Sequence, residues 1–385
     1  MEDKKITKIC IITTIPKTIK SFLLKSAVYI HEQTGWDISF ISSYDEDFAN
    51  SIPEYIHYYP VEMKRGVNLD GIKVIQQMES IFKRERFDIV QYSTPNASMY
   101  ASIAAKRCGV KIRNYHLMGY RYFGAQGMSR RILKRIEMIT CKNSTSIECV
   151  SQSNLEIGVK EGLFDREKAT VIWHGSTGGV DRTRFDYSKR KEWRKEIRES
   201  LGCSEDDFIF GFCGRITRDK GVNELLESYF SLNDNSKLMM IGQEENSDGG
   251  IKPDLINRAK NHKNILFIGK VMEAKKYYAA MDVLVLPTYR EGFGNVIIEA
   301  AAVGTPSIVS RIPGPVDAVV PDKTALLVEP KDVDSLLSAM REIRKKDYVA
   351  MGNNAYQNAK DCFDSEEMNK YILERKLELL NAAEK

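Results

Sequence analysis

Glu291 and Glu299 stand eight residues apart, the first in the loop Pro287-Thr288-Tyr289-Arg290-Glu291-Gly292-Phe293-Gly294 and the second about one turn into the segment that follows. The run Asp282 to Leu286 is short, apolar and rich in branched side chains, which predicts a strand buried on both faces of a parallel sheet. From Asn295 to Val303 the apolar positions recur at helical spacing until Gly304, which predicts a helix opening at the glycine-rich turn. Gly292 and Phe293 then lie in the turn, and Gly294, Asn295 and Val296 carry backbone N–H groups with no partner inside the helix. Those donors, with the positive end of the helix dipole, suit a phosphate. A carboxylate accepts two hydrogen bonds from a vicinal diol, the group that ribose and hexose rings offer. The chemistry implied is recognition of a phosphorylated sugar.

A second cluster has the same layout. Phe208-Ile209-Phe210-Gly211-Phe212-Cys213 predicts another buried strand, which runs through Gly214-Arg215-Ile216-Thr217-Arg218-Asp219-Lys220-Gly221 into a helix from Val222 to Phe230. Arg215 and Lys220 flank that strand-to-helix loop. Two fixed cations beside a helix start can neutralise a diphosphate and stabilise its departure, a role that a metal ion fills in other enzymes. The arrangement requires no metal and no cofactor.

These two loops, in this order and about eighty residues apart, resemble the nucleotide-sugar domain of the retaining glycosyltransferases of family 4, which have the GT-B fold. The resemblance extends over nearly the whole chain and includes transferases that build bacterial surface polysaccharides and lipid-linked glycans. The family's E-x7-E element corresponds to Glu291 and Glu299, and its G-R-x5-G element to Gly214, Arg215 and Lys220-Gly221. The resemblance implies that Glu299 binds ribose hydroxyls, Glu291 the donor hexose, and Arg215 with Lys220 the leaving pyrophosphate. Gly269-Lys270-Val271 matches the segment whose backbone faces the base, and uracil is the base expected.

Length and composition agree with two globular domains. At 385 residues the chain can bury two separate cores, and its 43% apolar and 29% charged residues exclude disordered and fibrous classes. A net charge of +4 is too small to imply nucleic acid, so any basic function is local. The seven cysteines form no C-x2-C pair and their odd number leaves one unmatched, which predicts reduced thiols, a cytoplasmic protein and no zinc site. Ile9-Cys10-Ile11-Ile12 is far too short for a signal or a membrane span.

The elements that must position these residues alternate as strand and helix. Strands are expected near Lys8 to Thr13, Asp37 to Ser42, Asp88 to Tyr92, Lys111 to His116, Ser146 to Ser151 and Ala169 to Trp173, and a second series near residues 208, 238, 265, 283, 306 and 325. The fold class expected is α/β, with two Rossmann-like doubly wound domains facing each other across a cleft. Residues 1–185 form the acceptor-side domain, 186–365 the nucleotide-sugar domain, and 366–385 a helix that can pack back on the first.

His116 closes the strand in Arg113-Asn114-Tyr115-His116, which sets its imidazole at the carboxyl edge of the sheet. Taken alone it reads as a strand-end histidine bonded to backbone; the family resemblance makes it a contact to the donor sugar. Trp173-His174-Gly175-Ser176-Thr177-Gly178-Gly179 resembles the family's interdomain loop, with His174 a structural strand-end residue. The loop Thr13-Thr14-Ile15-Pro16-Lys17-Thr18 lacks the glycine pair that many relatives carry and also lacks G-x-G-x-x-G, which argues against a nicotinamide domain. The following segment Ile19 to Lys25 reads first as a core-facing helix, with an acceptor-facing role as the alternative. Asp45-Glu46-Asp47 reads as a solvated turn, not a metal site. Arg218, Arg290 and Arg311 default to solvated surface. Residues 120–136 join aromatics to a cationic helix, which points to peripheral association with an anionic membrane, at the inner face of the cell membrane.

The function expected is transfer of a hexosyl or N-acetylhexosaminyl group from a UDP-sugar to a sugar hydroxyl, on a lipid-linked glycan or polysaccharide precursor. His116, Arg215, Lys220 and Glu291 carry the chemistry. Gly214, Val271, Gly292, Phe293, Gly294, Asn295, Val296 and Glu299 hold the donor. A sugar-nucleotide epimerase and a non-catalytic module of the same architecture are the rivals.

Overall fold

The computed structural model describes residues 6–63, 70–245 and 250–384. The chain divides into two compact units, residues 1–178 with 366–385, and residues 179–365. Each is built on one sheet whose strand pairs are all parallel.

The first unit holds β1 (Lys8–Ile12), β2 (Asp37–Ser42), β3 (Ile56–Pro60), β4 (Ile89–Tyr92), β5 (Ile112–Leu117), β6 (Ser146–Cys149) and β7 (Ala169–Val171), in spatial order β3-β2-β1-β4-β5-β6-β7. Successive side chains of a strand point to opposite faces, and β1 feeds both: Ile9 and Ile11 enter one apolar cluster, Cys10 and Ile12 the other. The helix Ser365–Glu384 lays Met368 and Ile372 on the Ile9/Ile11 face. A sheet covered on both faces explains why β1 is an unbroken apolar run rather than an alternating one.

Six of the seven strands fall where the sequence places them. The one it does not reveal is β3, an edge strand whose residues His57, Tyr58, Tyr59 and Pro60 are partly or wholly exposed and which ends on a proline. Ile19 and Leu23 are buried in the core, so the segment after the first loop packs as a core-facing helix.

The second unit holds β8 (Ile209–Cys213), β9 (Lys237–Ile241), β10 (Ile265–Gly269), β11 (Val283–Leu286), β12 (Ser307–Ser310) and β13 (Ala325–Val328), in order β10-β9-β8-β11-β12-β13. Asp282 ties its base together. One oxygen accepts from Ile209 N at 2.7 Å and from Arg198 at 2.8 Å, and the other from Arg194 at 2.9 Å, so the charged helix Arg190–Ser200 is fastened to the start of β8 and β11.

In both sheets the strand order reverses once, between β1 and β4 and between β8 and β11. Loops leaving the carboxyl ends of such a strand pair run to opposite faces and open a crevice, where ligands of doubly wound sheets bind. Gly214, Arg215 and Lys220 follow β8 and Glu291 to Glu299 follow β11, whereas His116 lies on β5 and Val271 follows β10.

Candidate active site

The loops after β8 and β11 meet because their strands are hydrogen-bonded neighbours, Phe210 beside Val283 and Gly211 beside Leu284. Lys220, at the end of the first loop, forms an ion pair with Glu291 in the second. Both side chains are largely buried, so their attraction is poorly screened by water.

Gly221 makes this approach sterically feasible. It adopts φ +71° just before the helix Val222–Leu232, and a Cβ there would come within 1.9 Å of Pro287 O. Only glycine fits both the left-handed backbone and the gap.

Asp219 then locks the two loops together. Its carboxylate accepts from Thr217 Oγ1 at 2.5 Å, Arg290 at 3.1 Å and Arg215 at 3.4 Å. Its backbone oxygen accepts from Tyr289 N at 2.8 Å and Thr288 Oγ1 at 3.2 Å. Burial alone raises a carboxyl pKa, but the Thr217 hydrogen bond and the Arg290, Arg215 and Lys220 cations outweigh it and hold Asp219 below its ordinary value. Arg290 is therefore no solvated surface residue as its sequence suggests; the buried carboxylate of Asp219 draws it in. Arg311 and Arg218 are exposed as expected.

Arg215 remains 43% exposed while bonded to Asp219 and Glu245, which leaves its guanidinium accessible at the mouth of the loop. Gly294, at φ +94°, turns the chain into the helix Asn295–Ala302. Gly292 lies against Gly314, where a Cβ would meet Gly292 O at 2.6 Å, and Phe293 is buried against Phe363 at 5.3 Å between ring centroids. The side-chain oxygen Asn295 Oδ1 is buried and has no hydrogen-bond partner among the described residues.

Glu299 has partners of its own. Its Oε2 accepts from the Tyr278 hydroxyl at 3.0 Å, and burial pushes its carboxyl up to about 7, against the lowering effects of that hydrogen bond and of Arg184. Arg184 also donates to Met272 O at 3.2 Å, next to Val271, so the segment after β10 and Glu299 share one cation.

His116 lies in the first unit, on β5. It is nearly buried, and its Nδ1 is 3.1 Å from Ser93 Oγ at the end of β4. Burial lowers its pKa to about 4, the Glu148 carboxylate raising it and the Lys376 ammonium lowering it, so the imidazole is neutral near pH 7. With Gln91, Glu148, Ser176, Thr177 and Lys376 it lines a cavity of about 30 Å³. At the strand reversal of this sheet, Thr14 and Thr94 join the loops after β1 and β4 through hydroxyls 2.8 Å apart, Thr94 at φ +69°.

Two other sequence readings resolve locally. Asp45 caps the helix Glu46–Ser51 by accepting from Phe48 N at 2.8 Å. Tyr120 and Tyr122 are buried and cluster with Phe123, so these aromatics stabilise the core instead of offering a surface. Exposed apolar side chains lie instead on the helix Gly127–Asn143. Met128, Ile132 and Ile139 are exposed on one stripe, flanked by exposed Arg131, Arg135 and Lys142.

Asp219, Tyr278 and Ser93 are site residues that the sequence did not single out. Asp219 lies within the Gly214 to Gly221 loop, but its bonds run to a loop about seventy residues away. Nothing in the short helix Ala274–Ala280 marks Tyr278 as different from Tyr277.

Two doubly wound parallel units of seven and six strands define a protein of the GT-B class. Residues 32–176 match the family described as Glycosyltransferase Family 4, and residues 194–361 the family described as Glycosyl transferases group 1. The chain thus carries two glycosyltransferase family domains and is a transferase. The capsular polysaccharide biosynthesis glycosyltransferase CapM of Staphylococcus aureus is 29% identical over 365 residues, covering 93% of this chain and 94% of CapM. The UDP-Gal:alpha-D-GlcNAc-diphosphoundecaprenol alpha-1,3-galactosyltransferase of Escherichia coli is 28% identical over 286 residues, 71% of each chain. Among solved structures, Anabaena Alr3699/HepE in complex with UDP has the same fold, with TM-score 0.77 at 16% identity over 97% of this chain and 100% of that one.

Proposed function

We propose that this glycosyltransferase moves a hexosyl or N-acetylhexosaminyl group from a UDP-sugar, with retention of configuration, to a sugar hydroxyl of a lipid-linked glycan or polysaccharide precursor. The observation that carries the reading is the Lys220–Glu291 pair at the strand reversal of the second sheet. A diphosphate brings negative charge that competes for Lys220, while the released Glu291 carboxylate accepts from hydroxyls of the sugar next to that phosphate.

In the proposed reaction the bond from the anomeric carbon to the phosphate oxygen breaks, and its electrons leave with the diphosphate. Lys220, Arg215 and the amides of Gly294, Asn295 and Val296 stabilise that charge. The acceptor oxygen attacks from the face of departure, and its proton passes to the leaving phosphate oxygen. Glu299 holds the ribose and Val271 borders the base, while the role of His116 toward the donor sugar rests on the family resemblance alone. No metal ion enters this scheme.

The polysaccharide setting is supported by the likeness to CapM and to the diphosphoundecaprenol-directed galactosyltransferase. A membrane-borne acceptor is supported by the exposed Met128/Ile132/Ile139 stripe with its arginines, which suits the inner face of the cell membrane.

The test is a screen of radiolabelled sugar nucleotides against lipid-linked acceptors in membranes, with the native chain, Lys220→Ala and Glu291→Ala. One donor should be transferred by the native protein, and both variants should fold yet lose transfer by about 100-fold or more. Equal transfer by all three proteins removes the site assignment.

A further inference from the structure

Tyr278 is fully buried in the helix Ala274–Ala280, stacked near Phe185, with its backbone oxygen accepting from Thr305 Oγ1 at 2.7 Å. These contacts fix the ring. Its phenolic oxygen lies 3.0 Å from Glu299 Oε2 and 3.2 Å from Cys213 Sγ. A phenol has one proton, and a carboxylate is the stronger acceptor, so the hydroxyl bonds Glu299 while the thiol S–H can turn to the phenolic oxygen. Cys213 ends β8, directly before Gly214 and Arg215. Glu299 Oε1 has no hydrogen-bond partner among the described residues.

We infer that Tyr278 is a positioning residue for donor binding: anchored by Cys213, it holds one oxygen of Glu299 and thereby presents the other to the ribose diol. This rests on the reading of Glu299 as the ribose-binding carboxylate. A glutamate on a helix with one unbonded oxygen samples several rotamers, and each unproductive one lowers the fraction of protein ready to bind. The phenol removes that freedom from one side only. It also favours the ionised carboxylate, which accepts from both ribose hydroxyls at once. The groups that bear on Glu299 are Tyr278 and Cys213 on the β8 side and Arg184 from the segment before the helix Arg190–Ser200. Of these only Tyr278 donates a hydrogen bond to it.

The test uses calorimetry with whichever of UDP, ADP and GDP the wild-type protein binds most tightly, and with the 2′,3′-dideoxy form of that nucleotide. Tyr278→Phe keeps the packing and removes the hydroxyl. It should weaken binding of the ribonucleotide about tenfold, leave the dideoxy form within twofold, and move the acid limb of the binding profile to higher pH. In a Glu299→Gln background the same change should cost less than twofold. Equal losses for both nucleotides, or additive losses in the double variant, would make Tyr278 a packing residue and overturn the inference. Unchanged binding by Glu299→Gln alone, or no binding of any of the three nucleotides, would instead remove the reading on which it stands, and the inference with it.

Discussion

Lys376 Nζ lies 2.8 Å from Glu148 Oε2 and 2.9 Å from Oε1 inside the first unit, although the two residues are 228 apart in the chain. Both side chains are almost completely buried, and by strand register Glu148 is the neighbour of His116. The helix Ser365–Glu384 is thus joined to the β5–β6 edge by one desolvated ion pair. Glu148 stays ionised there: burial raises its pKa, but the Lys376 charge and hydrogen bond reverse that and leave it below the ordinary value.

Removing one partner of such a pair strands a charge in the interior. Lys376→Met should destabilise the protein by about 3–5 kcal/mol, read from urea unfolding. The double variant Lys376→Met/Glu148→Gln should recover most of that loss, since neither position then carries an uncompensated charge. A double variant no more stable than the single one would mean that the lysine contributes through packing of its stem.

Glu137 presents the opposite case. It is buried on the helix Gly127–Asn143 with a 2.6 Å hydrogen bond from the Tyr115 hydroxyl, and burial pushes its pKa up to about 7 against that hydrogen bond. Between its unfolded value near 4.5 and about 7 the folded chain holds a proton that the unfolded chain releases. Stability from this group is therefore full at low pH and is lost as pH rises through 7. Glu137→Gln keeps an acceptor for Tyr115 without the charge, so it should raise stability at pH 8 by about 1–3 kcal/mol and change little at pH 5. Thermal melts at the two pH values measure this, and an equal gain at both would contradict the burial argument.

What the sequence disclosed followed from local rules. The buried runs of β8 and β11, their glycine turns and the helices after them each sit within about twenty residues, and periodicity with turn chemistry is enough to place them. Adjacency of the two loops came from the family resemblance, and the pairing of Phe210 with Val283 supplies its physical cause. Partners distant in sequence were not legible. Lys376 sits in Glu374-Arg375-Lys376-Leu377-Glu378, which reads as any solvated charged helix, and only the fold sets it against Glu148. Arg290 reads as a solvated side chain for the same reason, because Asp219 lies on another strand-end loop. The strand β3 escaped because an edge strand with one wet side lacks the unbroken apolar run that marked its neighbours.

Gly221→Ala tests the join between the loops. The added methyl would overlap Pro287 O and would also force a left-handed backbone on alanine, so the loop after β8 must withdraw from the loop after β11. The expected cost is about 2–4 kcal/mol in stability, with transfer lost beyond what the folded fraction explains, because Lys220 then no longer reaches Glu291. Gly202→Ala is the control. That glycine also has a positive φ, of +63°, but nothing lies within 4 Å of its Cβ position, so only the smaller backbone cost should appear, with activity kept.

The outer stripe of the helix Gly127–Asn143 makes a prediction about lipid. Met128, Ile132 and Ile139 present apolar surface at one angle of the helix, and Arg131, Arg135 and Lys142 present charge beside it, whereas Arg130 and Lys134 are turned toward Glu161. Each of the outer cations near an anionic surface is worth about 1 kcal/mol, so Arg131→Glu/Arg135→Glu should reduce binding to phosphatidylglycerol vesicles by more than 100-fold, and raised salt should do the same to the native chain. Met128→Ser/Ile132→Ser removes the apolar part and should weaken binding even at low salt. Arg130→Gln serves as the comparison, because its charge is engaged by Glu161 and its loss should matter little. Vesicle sedimentation reads all four proteins, and equal binding by the double glutamate variant would show that the stripe does not face the bilayer.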